Sequence, residues 1–322
     1  MTAPVLEVED LSKHFPITRG LFAREIARVR AVDGVSFAMA SGETLCIVGE
    51  SGCGKSTVGR LILRLIEPTT GSIRLEGRDI TRLPRDAVRP LRQRMQIVFQ
   101  DPYASLNPRM RAGAIVAEPL ENFGGTTAAG RAERVAEIFG RVGLPREAMQ
   151  KYPFEFSGGQ RQRLGIARAL TVDPRVIVCD EPVSALDVSV QAQVLNLMMD
   201  LKAELGLAYL FISHDLGVVE HVADRVAVMY LGRIVEIAPK AKVFRSPRHP
   251  YTRALLAAAP IPDPRARKER IVLEGDVPSP ARPPDGCHFH TRCPFVFDRC
   301  RREAPVLREA DAGHRYACHL DD

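Results

Sequence analysis

Gly49-Glu50-Ser51-Gly52-Cys53-Gly54-Lys55-Ser56-Thr57 fits the pattern G-x-x-x-x-G-K-[ST] at every fixed position. The apolar run Leu45-Cys46-Ile47-Val48 before it reads as a buried strand, and Val58-Gly59-Arg60-Leu61-Ile62-Leu63-Arg64-Leu65 after it as a helix. That strand–loop–helix context is the one a phosphate-binding loop needs. Glycines let backbone N–H groups curl around phosphate oxygens, and a helix N-terminus adds partial positive charge where the anion sits. On this reading Lys55 reaches the β- and γ-phosphates of a nucleotide, and the Ser56 hydroxyl ligates Mg²⁺.

A phosphate loop alone leaves the type of nucleotide engine open. Phe156-Ser157-Gly158-Gly159-Gln160 lies about a hundred residues downstream and opens a helical run over residues 161–170. Ser157 is a good N-cap, and the two glycines permit close backbone approach. Val176-Ile177-Val178-Cys179-Asp180-Glu181-Pro182 follows, an apolar strand that ends in two carboxylates. Then come Ser184-Ala185-Leu186-Asp187 and, after another apolar strand, Phe211-Ile212-Ser213-His214-Asp215. Gln100 closes a further strand-like run, Met95-Gln96-Ile97-Val98-Phe99.

In this order the six motifs resemble the nucleotide-binding subunit of an ABC transporter, over roughly residues 5–240. The resemblance implies an α/β fold: a RecA-like P-loop core with an antiparallel β subdomain and an α-helical subdomain. It implies that Phe15 stacks on adenine, although an aromatic near a strand end also serves as core. It implies that Gly49, Glu50, Ser51, Gly52, Cys53, Gly54, Lys55, Ser56 and Thr57 bind the phosphates and Mg²⁺ of ATP. Gln100 touches Mg²⁺ or the attacking water; Asp180 binds Mg²⁺; Glu181 is the general base or water-positioning residue. Ser157, Gly158, Gly159 and Gln160 form the signature loop that caps ATP on the opposite subunit. Asp187 belongs to the loop between subunits, and His214 contacts the γ-phosphate. Phe156 stands where the family usually has leucine, an apolar exchange. Phosphoryl transfer to water needs positioning and charge neutralisation more than covalent help, which suits this set. The strand ends at Gly49, Asp180 and Ser213 are expected to converge on one crevice, the usual ligand position in an open α/β sheet.

Composition narrows the class. The chain has 322 residues, 26% charged and 45% hydrophobic, as soluble globular proteins do. No stretch approaches the ~18–20 apolar residues that cross a bilayer. The start Met1-Thr2-Ala3-Pro4-Val5-Leu6-Glu7 lacks the basic and apolar regions of a signal peptide, so a cytoplasmic location is expected. The net charge of +6 is spread along the chain and not gathered in one tract, so nucleic acid is not demanded. Val5-Leu6-Glu7-Val8, residues 31–37 and residues 72–75 read as strands of a small antiparallel layer. Residues 17–28 exceed a tight connection and receive no role. Residues 101–157 lose the strand pattern; 128–142 and 145–152 read as helices of a helical subdomain.

Beyond about residue 240 the character changes. Arg248-His249-Pro250-Tyr251-Thr252-Arg253-Ala254-Leu255-Leu256 and the tail behind it look like the C-terminal extension of ATP-binding subunits in oligopeptide and dipeptide importers. Residues 1–240 are thus expected to be the nucleotide-binding domain and 241–322 the extension. Four of the seven cysteines, Cys287, Cys293, Cys300 and Cys318, lie in the last 36 residues with spacing C-x5-C-x6-C-x17-C. In a reducing compartment such a cluster binds metal more often than it forms disulfides. Four thiolates suit a [4Fe–4S] cluster or a tetrahedral zinc, and His288, His290, His314 and His319 keep a mixed zinc site open. The family resemblance favours [4Fe–4S]; unmetallated thiols are the third option. Proline-rich stretches at 260–264 and 278–284 are expected to set this tail apart from the nucleotide site, with metal ligation supplying its folding energy.

The expected function is therefore ATP hydrolysis that powers peptide import, at the cytoplasmic face of the inner membrane. The expected partners are two transmembrane permease subunits, a second ATPase subunit (a copy or a related chain), and indirectly an extracytoplasmic peptide-binding protein. The same engine also serves nickel, glutathione or other solutes. A DNA-repair ABC ATPase needs a long coiled coil between phosphate loop and signature, which the hundred-residue gap here lacks. A translation ABC ATPase carries two nucleotide domains in one chain, and this chain has one.

Overall fold

In the computed structural model, residues 3–19, 24–125, 127–258 and 273–320 are described. The chain divides into two compact units that interleave along the sequence. One comprises Leu6–Ala38, Thr44–Thr81 and Ile212–Asp322; the other comprises Met1–Val5, Met39–Glu43 and Arg82–Phe211.

The first unit holds an antiparallel sheet in the order Arg24–Met39, Leu6–Arg19, Thr70–Leu75, Arg78–Asp79. Its alternation is the sequence period made visible: Leu6 and Val8 are buried while Glu7 and Glu9 face outward, and they oppose Leu75, Arg74, Ile73 and Ser72 in register. Residues 17–19 and 24–28 prolong its two long strands, which accounts for the extra length seen in the sequence; residues 20–23 lie outside the described residues.

The same unit carries the strand Thr44–Val48, wholly buried, as a continuous apolar run predicts. It pairs in parallel with Arg225–Tyr230, Val48 opposite Val228. Arg225–Tyr230 then turns through Leu231 and Gly232 into Arg233–Pro239, antiparallel. The end of the chain adds two more strands, His314–Tyr316 against Arg233–Pro239 and Arg308–Asp311 beyond it. The C-terminal tail is therefore built into the sheet that carries the phosphate loop. The expectation of a tail set apart by proline linkers is corrected here; of those prolines, 260–264 fall outside the described residues.

What draws the tail in is a buried polar node. Glu236 is fully buried and accepts from His314 Nε2 at 2.7 Å, from the Arg248 amide at 2.8 Å and from the His249 amide at 2.9 Å. A carboxylate inside a sheet is tolerable only when its lone pairs are filled in this way. His249, also buried, accepts at Nδ1 from the Tyr251 amide at 3.1 Å, which fixes its neutral form.

The second unit holds the parallel strands Met95–Val98 and Val176–Asp180, with Ala208–Ile212 next in order. Helices Ala112–Phe123 and Ala128–Arg141 lead to the helix Gly158–Leu170. The helix expected at 145–152 is only a 3₁₀ turn, Arg146–Gln150, because Pro145 and Pro153 bracket it. Helix Val188–Leu205 follows the carboxylate strand.

Burial, helped by the charge of Arg253, holds the His249 imidazole down at about 3. The unfolded chain protonates this ring below about pH 6.5 and the folded chain does not, so stability falls as pH drops from 6.5 towards 3. At pH 5 the expected loss is about 2 kcal/mol, 1.5 pH units at ~1.4 kcal/mol each. NMR should find the His249 ring still neutral at pH 5, and His249→Gln should flatten that part of the pH–stability curve; a ring titrating near 6.5 contradicts this.

Candidate nucleotide site

The phosphate loop joins strand Thr44–Val48 to helix Lys55–Ile62. Two of its glycines are sterically required. A Cβ on Gly49 (φ 152°) would lie 2.2 Å from the Met229 carbonyl oxygen, and one on Gly54 (φ 107°) 2.0 Å from that of Ala31. No other residue type fits at either place without moving backbone. Gly232 N–H donates to the Cys53 carbonyl at 2.9 Å, so the hairpin turn after Arg225–Tyr230 buttresses the loop.

Lys55 opens the helix and is only 6% exposed. Its ammonium donates to the Gly49 and Glu50 carbonyls at 2.8 and 2.9 Å, folding the side chain along the inside of the loop. Cys53 lies against it, Sγ at 3.8 Å; burial raises the thiol's pKa, with Lys55 opposing. Cys46 and Cys179 are likewise buried in strands, as small packing residues. Ser56 and Thr57 follow in the first helical turn. The loop thus offers a helix N-terminus, glycine-lined backbone and one cation, a donor set that fits the phosphates of a nucleotide.

Two further expected residues sit in the same unit. Ser213 N–H donates to the Ile47 carbonyl at 3.2 Å, and the exposed His214 follows it in the chain. Asp215 then caps helix Leu216–Val222 through Gly217 and Val218. Phe15 projects from the antiparallel sheet, 38% exposed, with the Lys13 ammonium 5.1 Å from its ring centroid. It is not a core aromatic.

The second unit assembles the carboxylates. Val98 lies opposite Cys179 in the parallel pair, so Gln100 and Asp180-Glu181 emerge from adjacent strand ends. Gln100 Nε2 donates to Glu181 Oε2 at 2.9 Å. Glu181 holds φ +48°, a left-handed conformation that costs a non-glycine residue on the order of 1–2 kcal/mol. Ser184 supports it, donating from both its amide and its hydroxyl to the Glu181 carbonyl at 3.3 and 3.1 Å. Gln162, a residue the sequence reading passed over, reaches the Phe99 carbonyl at 3.5 Å and steadies the approach to Gln100.

Ser157 caps helix Gly158–Leu170 in a capping box: its Oγ accepts from Gln160 N–H at 3.3 Å, and Gln160 Oε1 accepts from Ser157 N–H at 3.0 Å. Phe156 is buried. A Cβ on Gly159 would lie 2.4 Å from Val190 Cγ1, so this glycine lets helix Val188–Leu205 approach; one on Gly158 would meet Leu186 at 3.3 Å. Asp187 caps that second helix, accepting from the Val190 amide at 2.9 Å, and this bond lowers its pKa.

The tail cysteines come together only in part. None of the four forms a disulfide; Cys300 and Cys318 are buried, Cys287 and Cys293 half-buried. Cys287 N–H donates to the Cys300 carbonyl at 2.8 Å. Burial pushes the Cys287 thiol up to about 11, with the sulfurs of Cys318, Cys300 and Cys293 adding to it. Yet among the described residues no three His, Cys, Asp or Glu side chains stand in a metal-ligating group. The expected metal-binding extension is therefore found as an extension with converging thiols, without ligand geometry. Of the histidines, His290 and His319 engage the Cys287 and Glu303 carbonyls and His314 engages Glu236. Among the described residues no helix is long and apolar enough to cross a membrane.

Comparison with known proteins agrees with this geometry. Residues 32–184 match the family model "ABC transporter", and residues 235–300 match "Oligopeptide/dipeptide transporter, C-terminal region". The chain is 57% identical to the probable peptide ABC transporter ATP-binding protein y4tS of Sinorhizobium fredii, over 99% of this chain and 91% of that protein. It is 54% identical to the oligopeptide transport ATP-binding protein AppF of Bacillus subtilis, over 98% and 97%, and 52% to the dipeptide transport ATP-binding protein DppF of Escherichia coli, over 99% and 95%. Among solved structures, the dimeric cassette MJ0796 in a post-hydrolysis state with ADP and Pi superposes with a TM-score of 0.65 at 26% identity, over 73% of this chain and 98% of that one. The cassette cbiO1 of Clostridium perfringens gives 0.65 at 27%, over 76% and 91%. The chain belongs to the ABC transporter family, among the ATP-binding subunits that carry the oligopeptide/dipeptide-type C-terminal region.

Proposed function

We propose that this chain hydrolyses Mg-ATP to drive peptide import, as a peripheral subunit at the cytoplasmic face of the membrane. The observation that carries the reading is the phosphate loop, in which Gly49 and Gly54 leave no room for a side chain and the lysine opens a helix. The peptide cargo rests on the C-terminal region and on relatives named for peptide, oligopeptide and dipeptide transport. The partners are two permease subunits, a second ATPase subunit, and, outside, a peptide-binding protein. Nucleic acid has no part. Residues 1–240 form the nucleotide-binding domain, with 101–157 turned to the permeases, and 241–322 the extension.

The residues divide the work. Phe15 stacks on adenine with an exposed face. The loop amides and Lys55 hold the phosphates, and His214 contacts the γ-phosphate. As the family resemblance implies, Ser56, Gln100 and Asp180 would hold Mg²⁺, which would neutralise phosphate charge when bound. Glu181 accepts the proton of the attacking water or orients it, and Gln100 holds the Glu181 carboxylate through their hydrogen bond. Ser157 to Gln160, with Asp187, face the partner subunit and cap its nucleotide. In the tail, Cys287, Cys293, Cys300 and Cys318 are proposed ligands of a [4Fe–4S] cluster that would supply folding energy there, with zinc as the alternative.

Glu181→Gln should keep ATP binding and slow turnover by on the order of 10²–10⁴, the range for a lost general base. The assay is ATP hydrolysis by the assembled transporter with the partner's own site disabled; unchanged turnover removes Glu181 from this role. Anaerobically purified chain should be brown and hold about four irons, one cluster's worth for four cysteine ligands. Zinc in place of iron replaces the cluster, and neither metal leaves the thiols without this role.

A further inference from the structure

Glu50 puts a carboxylate inside a loop that must hold polyanionic phosphate. Left bare, that charge opposes the nucleotide as Lys55 attracts it. Arg292 masks it: Nη1 and Nη2 donate to Oε2 and Oε1 of Glu50 at 2.8 and 3.0 Å, a bidentate pair. The arginine side chain is 8% exposed and the glutamate 29%, so solvent screens the pair less than it does a surface bridge. The Arg292 guanidinium also lies over the Tyr230 ring, 6.0 Å from its centroid.

The backbone of Glu50 is held as well. Its N–H donates to the Tyr251 hydroxyl at 2.8 Å, and its carbonyl accepts from Lys55. Tyr251 and Tyr230 are fully buried and pack with Phe289, ring centroids 4.8–5.5 Å apart. Both anchors belong to the C-terminal region. Tyr251 lies in helix Pro250–Ala258. Arg292 lies in a turn where the His290 amide donates to the Cys287 carbonyl and the Arg292 amide to that of Phe289, each at 3.0 Å.

We propose that Arg292 and Tyr251 are positioning residues of the nucleotide site. Arg292 cancels the Glu50 charge, Tyr251 fixes the Glu50 amide, and the C-terminal region thereby sets how tightly the loop takes a nucleoside triphosphate. Preordering a binding loop raises affinity by removing the cost of ordering it on binding. The proposal rests on residues 49–57 being the ATP site.

The test is equilibrium binding of Mg-ATP to the full chain at low and high salt. Arg292→Ala should weaken binding about tenfold at low salt, the effect of roughly one charge-assisted bond. The deficit should shrink as salt screens the bared carboxylate. Adding Glu50→Gln to Arg292→Ala should restore most of the affinity, which a merely structural arginine would not allow. Tyr251→Phe, which removes one hydroxyl and keeps the packed ring, should weaken binding severalfold and raise KM more than it lowers kcat in the assembled transporter. Wild-type affinity in folded Arg292→Ala, or no rescue by Glu50→Gln, overturns the role of Arg292. Wild-type affinity in Tyr251→Phe overturns that of Tyr251. Lys55→Ala separates the two readings: if it binds Mg-ATP normally, the loop is not the ATP site and the proposal falls with it.

Discussion

At Gly54 the phosphate loop runs so close to the Ala31 carbonyl that a Cβ would sit 2.0 Å from it. At Gly49 the same is true against Met229, at 2.2 Å. These two contacts press the loop between the antiparallel sheet and the strand Arg225–Tyr230, both within one unit. Everything that reads as nucleotide chemistry on that side depends on the crowding. It turns the chain from a buried strand into a helix within a few residues. It leaves Lys55 at the first helical position, where its ammonium lies along the loop carbonyls.

The second unit reaches its chemistry differently. A parallel pair of strands brings Gln100 and Glu181 within hydrogen-bond distance, and a left-handed residue turns the carboxylate out of the strand. Strained backbone at a polar strand end is held by its surroundings, here by Ser184. Capping does the rest: Ser157 and Asp187 each start a helix, so the residues expected to face a partner subunit are also those that fix the local backbone.

Much of this was legible because it is local. The phosphate loop, the strand with two terminal acids, the capping box at Ser157 and the alternation of Leu6 and Val8 are short-range patterns, and each folds as its period and end residues dictate. The misses are of three kinds. Residues 17–28 carry no strong period, so the place of 17–19 and 24–28 at the ends of two long strands was hidden. Pro145 and Pro153 leave too little room for the helix expected at 145–152. The tail, read as proline-separated, joins the sheet through Glu236, a buried acid whose partner His314 lies 78 residues away. The Arg292–Glu50 pair spans 242 residues, and no window of sequence brings the two together. The four-cysteine cluster expected from spacing is not found as a metal-ligating group among the described residues.

The central claim is that crowding at the loop glycines makes the nucleotide site. Gly54→Ala tests it most directly, by titrating Mg-ATP into the variant and checking its fold by circular dichroism. The account predicts a folded protein whose affinity drops at least about a hundredfold, since a displaced loop backbone loses several phosphate hydrogen bonds at once. A folded Gly54→Ala protein that binds Mg-ATP as tightly as the natural chain would contradict it.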